Sequence, residues 1–246
     1  MINKNRKWDF LHVEATALIL LVIASCSNPF ASYPTNTLVA NAQYSEDGND
    51  KWVLNTSSTA DFYGSNGNSE SLTEGVKLGG DSLTFSYGYY ERSPLTSWDS
   101  IQIWTVSDHG SIGNFDDNIV SPRLFTITYP LQLRHNDSVS MRSGFTINYT
   151  NTRSDSVRIS ITLNPLLANA IDSTVPLLNH IPMFVSGLVA STGSFFVSPS
   201  DLASFPTKGI IDVHVIAENS INTTHSERTY QISSTCDADV NVFIKP

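Results

Sequence analysis

From Gly75 onward the chain alternates apolar and polar residues with period two, the pattern of strands that bury one face. SLTFSYGYY sets Leu83, Phe85, Tyr87 and Tyr89 on one side. SIQIWTV sets Ile101 and Ile103 against Gln102 and Trp104, so both faces of that strand are apolar. LFTITYP offers Phe125, Ile127 and Tyr129, and GFTINYT offers Phe145, Ile147 and Tyr149. VRISITL is the cleanest case, with Val157, Ile159, Ile161 and Leu163 inward and Arg158, Ser160 and Thr162 outward. IIDVHVIAE turns Ile211, Val213, Val215 and Ala217 inward and leaves His214 outward. RTYQISS and DVNVFIK read as two closing strands.

The connections carry their own signals. NTRSD, between GFTINYT and VRISITL, is a hairpin-sized turn of Asn, Ser and Asp. ASTG, between MFVSGLV and SFFVS, is a second hairpin. SPSDLASFPTKG has room for one helical turn, capped by Ser200 and stopped by Pro206. PLLANAIDSTV fits either a helical turn or a loop.

Short alternating strands separated by turns every eight to twelve residues or so predict an all-β fold of the sandwich kind. Residues 139–246 hold about seven such strands, the size of one immunoglobulin-like domain. The order of GFTINYT, VRISITL, the turn at STG, SDLASFP and IIDVHVIAE resembles the immunoglobulin-like C-terminal domains of envelope lipoproteins in bacteria such as Bacteroidota. That resemblance implies an immunoglobulin-like β-sandwich at the C-terminus; the Cys…Trp…Cys core of antibody domains is absent. It implies fold more than function, because sandwiches host many functions. Residues 46–138 read as a second β-rich region, with PLQLRHNDS, Pro130 to Ser138, as the boundary.

Ahead of this body the pattern changes. Lys4, Arg6 and Lys7 precede an apolar run over residues 15–23, broken only by Thr16. Spanning a bilayer takes roughly 20 apolar residues, so this run is too short. A basic start, a short apolar stretch and small residues make a secretory signal peptide over 1–25. Its end, Ile23-Ala24-Ser25-Cys26, resembles the bacterial lipobox. The resemblance implies cleavage before Cys26, diacylglycerol on its thiol and acylation of its new amino group. Each buried methylene adds about 0.8 kcal/mol, so several chains on Cys26 anchor a protein where one holds it only marginally. Ser27, rather than Asp, implies the outer membrane in envelopes that use Asp for inner-membrane retention. Residues 26–45, rich in Ser, Asn, Pro and Thr, read as a flexible tether.

Charge narrows the partners. Without residues 1–25, the 14 Lys and Arg and 23 Asp and Glu become 11 and 21, a net charge of −10. An acidic body does not suit nucleic acid or an anionic lipid face, which need basic patches. Only Cys26 and Cys236 are present, so an acylated Cys26 leaves Cys236 unpaired. A free Cys in an apolar strand is expected to be a small buried hydrophobe.

Candidate chemistry is sparse. G-x-S-x-G, H-E-x-x-H and C-x-x-C are absent, and no glycine-rich loop has phosphate-binding spacing. No catalytic residue, metal set or cofactor is therefore assigned. DHGSIGNFDDN, with Asp108, Asp116, Asp117 and Asn118, and the run Glu46, Asp47, Asn49 and Asp50 have calcium-like oxygen content, but a solvated turn explains each better. The aromatics Trp52, Trp98, Trp104, Tyr89 and Tyr90 fall in the N-terminal half. They either stack on sugar rings or fill the contact between the two halves. YGYYERSPLTSW joins two strands, which makes Tyr89, Tyr90 and Trp98 the candidate ligand-binding residues. Three functions compete: a lipid-anchored binding or adhesion module with a protein or glycan ligand, an accessory envelope lipoprotein that contacts a protein, and a β-sandwich hydrolase. The missing catalytic motifs place the hydrolase last.

Overall fold

The computed structural model describes residues 35–46, 52–64, 66–131, 137–154, 156–171 and 181–245. The signal peptide, Cys26 with its lipobox, the acidic run Asp47 to Asp50 and most of PLQLRHNDS lie outside the described residues.

Two long strands organise an all-β architecture. β16 (Gly209–His225) and β17 (Arg228–Lys245) pair antiparallel along their whole length. Ser226 and Glu227 between them both have positive φ, 48° and 64°, which a tight two-residue hairpin needs. RTYQISS and DVNVFIK are thus one strand; the intervening TCDA contains no Gly or Pro and alternates in step with both ends. Ile211, Val213, Val215 and Ala217 are buried, facing Val242, Val240, Ala238 and Cys236 across the ladder.

Around this pair runs a ten-stranded sheet. From one edge it reads β13 (Met183–Val185), β12 (Ser156–Leu163), β16, β17, β1 (Asn36–Glu46), β2 (Trp52–Asp61), β6 (Tyr89–Arg92) and β5 (Thr84–Ser86). β14 (Val189–Ala190) also pairs with β12, and β10 (Ser138–Ser140) pairs with β17 where β1 leaves off. β1 and β10 lie parallel to β17. A four-stranded sheet has the order β4 (Asp81–Ser82), β3 (Gly75–Leu78), β7 (Ile101–Ser107), β8 (Phe115–Val120). A three-stranded sheet has the order β15 (Ser194–Val197), β11 (Phe145–Tyr149), β9 (Ile127–Tyr129).

Each small sheet shares a core with part of the long one. The first core joins Phe145, Ile147, Tyr149 and Val197 to Val157, Ile159, Ile161, Val213 and Val240. The second joins Val76, Leu78, Trp104 and Ile119 to Leu38, Ala40, Ala60, Tyr230 and Ile232. Trp98 packs against both.

Several expectations are corrected. The tether was expected to reach residue 45, yet Asn36–Glu46 is a strand in the middle of the long sheet, with Leu38, Ala40 and Ala42 buried. Its inward residues are mostly alanine, so the alternation is faint. The boundary near residue 138 separates nothing: residues 35–246 form one compact unit, and the sheet crosses that point where β1 pairs with β17. NTRSD and ASTG are not hairpins. Each carries the chain from one sheet to another, β11 to β12 and β14 to β15. SLTFSYGYY is broken by Tyr87 and Gly88, both at positive φ, into the paired strands β5 and β6. In β7 the buried face is Gln102, Trp104 and Val106; Ile101 and Ile103 are about half exposed.

The local turns follow their chemistry. Asn164 caps α1 (Pro165–Ile171) by accepting from the Leu167 N–H at 3.0 Å, and proline takes the first helical position. The expected turn near Ser200 forms, with Leu202 and Phe205 buried, but Ser198 and Asp201 hold it; the Asp201 carboxylate accepts from the Ser198 N–H and hydroxyl.

Candidate functional site

The three aromatic candidates do not form a stacking row. Tyr90 is buried on β6, and the Leu72 N–H donates to its hydroxyl at 2.6 Å. Its ring packs edge-on against Phe62. Tyr89 points to the other face of the same strand, half-buried, and donates its hydroxyl to Glu91. Trp98 is half-buried between the two cores and donates Nε1–H to the Pro122 carbonyl at 3.2 Å. Its place is the interface reading of the aromatics. Tyr87, at the hairpin tip, is the exposed ring here, 97% accessible.

The chemistry gathers instead on the outward face of the long sheet. Because β2, β1, β17 and β16 are in register, their outward side chains line up in rows. Asn55, Gln43, Asp237 and Ile216 lie in one row; Ser57, Asn41 and Thr235 lie in the next. With Ser93 beside them they line a pocket of about 390 Å³. Thr235 donates its hydroxyl to Asn41 Oδ1 at 2.6 Å, and Gln43 donates to Asp239 at 3.4 Å.

Next to the pocket lies His214, half-buried as β16 passes outward. Its Nδ1 is 3.1 Å from Asp237. Directly across the ladder stands Asp239, and Asp212 is two residues back on the same strand. The hydrogen bond to Asp237 is the largest influence on His214 and raises its pKa above 6.5, against the opposing effect of burial. Burial raises Asp212 and Asp239 above the usual carboxylate range. A raised histidine stabilises the fold fully below its unfolded value and loses that contribution as pH climbs through the folded one. The urea midpoint is therefore expected to fall as pH rises above about 6.5, and His214→Gln should flatten the fall. An unchanged slope in His214→Gln would assign the effect elsewhere.

A second His–carboxylate pair sits at the far end of the β16–β17 hairpin. His225 stacks on Phe115, ring centres 4.1 Å apart and planes within 5°. Its Nε2 meets both Asp117 Oδ2 and Thr223 Oγ1. A triad needs the carboxylate on one ring nitrogen and the nucleophile on the other. Here both contacts converge on one nitrogen.

The acidic loop residues divide by role. Burial opposes the charge on Asp108, but the backbone N–H groups of Thr73, Gly110 and Ile112 and the Thr73 hydroxyl together hold its pKa below the usual range. Asp116, Asp117 and Asn118 lie on β8, so alternate side chains leave on opposite faces. Among the described residues no three His, Cys, Asp or Glu side chains converge as a metal would need. Cys236 is buried in the first core, and burial pushes its thiol to about 12. No helix among the described residues is long and apolar enough to cross a membrane.

Set against protein-family models, curated proteins and solved structures, the chain matches none. The residues of the pocket were missed in the sequence because they lie on β1 and β2. Beside the pocket those strands alternate Asn, Gln and Ser with Ala40, Ala42, Thr56 and Ser58 rather than with large apolar residues.

Proposed function

We propose that the chain is a lipid-anchored envelope protein, held at the outer membrane through Cys26, whose body is a non-catalytic binding or adhesion module. The observation that carries this reading is the pocket on the outward face of the long sheet. Asn41, Gln43, Asn55, Ser57 and Thr235 line it, side chains suited to hydrogen bonding and poor as nucleophiles. Among the described residues no nucleophile stands on the second ring nitrogen of His214 or His225, which supports binding over hydrolysis. The acidic body favours a partner other than nucleic acid.

The lipobox reading of Ile23-Ala24-Ser25-Cys26 supplies the anchor. Within the body, the three-stranded sheet over β12, β16 and β17 fits an immunoglobulin-like sandwich, and we extend the proposal to that finer fold. Strands of 17 and 18 residues that continue into the second core are its departure from a compact immunoglobulin domain.

An accessory lipoprotein that contacts a protein is the second reading. It is favoured by Met183, Val185, Leu188 and Phe196, exposed apolar residues on or beside the edge strands β13 and β15.

The anchor is tested in cells. Cys26→Ser should leave an unprocessed precursor and abolish incorporation of radioactive palmitate. A substituted protein that is still cut at the same bond and stays with the membrane would show that the lipobox reading is wrong.

A further inference from the structure

We propose that the pocket on the outward sheet face binds a neutral, hydroxyl-rich ligand, a sugar residue of an uncharged glycan. This deepens the binding-module reading and rests on it. Its volume, about 390 Å³, lies at the lower end of the range for small-ligand sites, roughly 300–1,000 Å³.

The lining argues for the ligand class. A sugar hydroxyl both donates and accepts, so its site needs both functions close together. Asn41 has its carbonyl oxygen taken by Thr235, which leaves its amide N–H groups to donate into the pocket. Gln43 uses its amide nitrogen on Asp239, which leaves its carbonyl oxygen to accept. Asn55 and Ser57 supply both functions. Asp237, tied to His214 through Nδ1, brings a carboxylate that accepts from neighbouring hydroxyls. Ile216 is the one large apolar side chain of the lining, set where the C–H face of a ring can rest.

The same features turn other ligands away. No Lys or Arg lines the pocket and its one charged lining residue is Asp237, which disfavours an anion. A peptide that binds by extending a sheet needs a free strand edge. The floor strands β1, β17 and β16 are paired on both sides, so the centre of the pocket offers no free edge; β2 at its rim pairs with β6 only over Ser58–Ala60. The lining residues are also held in place. They stand on a sheet whose other face is a close-packed core, and two of the amides are fixed by hydrogen bonds within the face. A rigid, pre-formed site loses less on binding.

The test uses the full chain purified in detergent on an array of neutral and acidic glycans. Retention of neutral glycans is expected, with uronate- or sialate-bearing ones rejected. Asn41→Ala and Asn55→Ala should each weaken binding by about tenfold, the loss of one net hydrogen bond of about 1–1.5 kcal/mol. Both variants should keep the parent's circular dichroism and cooperative urea unfolding, with the Asn41→Ala midpoint lowered by no more than the loss of its hydrogen bond to Thr235. Tyr89→Ala, outside the pocket, should bind as the parent does. Retention of no neutral glycan, or of acidic glycans alone, overturns the proposal. Neutral-glycan binding that survives both pocket variants and is lost in Tyr89→Ala overturns the pocket while leaving the binding module standing. A failure of the anchor reading is seen separately, in palmitate labelling of Cys26→Ser.

Discussion

Ala40→Asp is expected to abolish folding of the body. Ala40 lies on β1, fully buried in the second core beside Leu38 and Ala60. Its cross-strand partners are Ser58 on β2 and Ser234 on β17, both buried. A carboxylate there has no cation to pair with among these neighbours. An uncompensated buried charge costs several kcal/mol, and a domain is stable by only about 5–15 kcal/mol. β1 also joins β17 to β2, so losing it divides the ten-stranded sheet. Gln43→Ser, three residues on and facing outward, should move stability by no more than about 0.5 kcal/mol. Circular dichroism and urea unfolding of the two variants decide the matter. Were residues 26–45 a tether, both substitutions would be silent; an Ala40→Asp protein that melts with the parent would remove β1 from the sheet.

What could be read from the sequence depended on the size of the inward residues. β12 and β16 carry Val, Ile and Leu at alternate positions against polar neighbours, and their buried faces match the pattern residue by residue. β1 and β2 obey the same alternation, but their inward positions are Ala40, Ala42, Thr56 and Ser58. Such residues are small enough to let two sheets approach, and too small to announce a core. The pocket was lost with those strands, because Asn41, Gln43 and Asn55 are outward neighbours of Ala40, Ala42 and Thr56. Pairing was the other limit. Parallel contact of β1 with β17 joins residues nearly 200 positions apart, as the hydrogen bond from Thr235 to Asn41 shows. No local signal in either segment names its partner. The sites of the turns were visible, but their direction was not: NTRSD and ASTG look the same whether the chain turns back in one sheet or crosses to the next.

Trp104→Ala should cost about 3–5 kcal/mol, the range for deleting a fully buried large aromatic. Trp104 is the largest fully buried side chain among the described residues. It stands opposite Leu78 on β3 and shares the second core with Val76, Ile112 and Ile119. Alternation along β7 made Trp104 and Ile103 members of opposite faces, with either face apolar enough to be the inner one. Tertiary pairing decides between them. β3 brings Val76 and Leu78 to the Val106 and Trp104 positions, and the wide indole fills the space between that sheet and the long one. Ile103, about half exposed, then gains little from the fold, and Ile103→Ala should cost less than about 1 kcal/mol. Trp104→Phe keeps most of the ring and removes an indole N–H that has no hydrogen-bond partner among the described residues. Its cost should therefore fall below half that of Trp104→Ala, since no bonded donor is lost. Urea midpoints of the three variants at a common m-value provide the measurement. If Ile103→Ala proves costlier than Trp104→Ala, β7 packs by its other face and the second core is wrongly drawn.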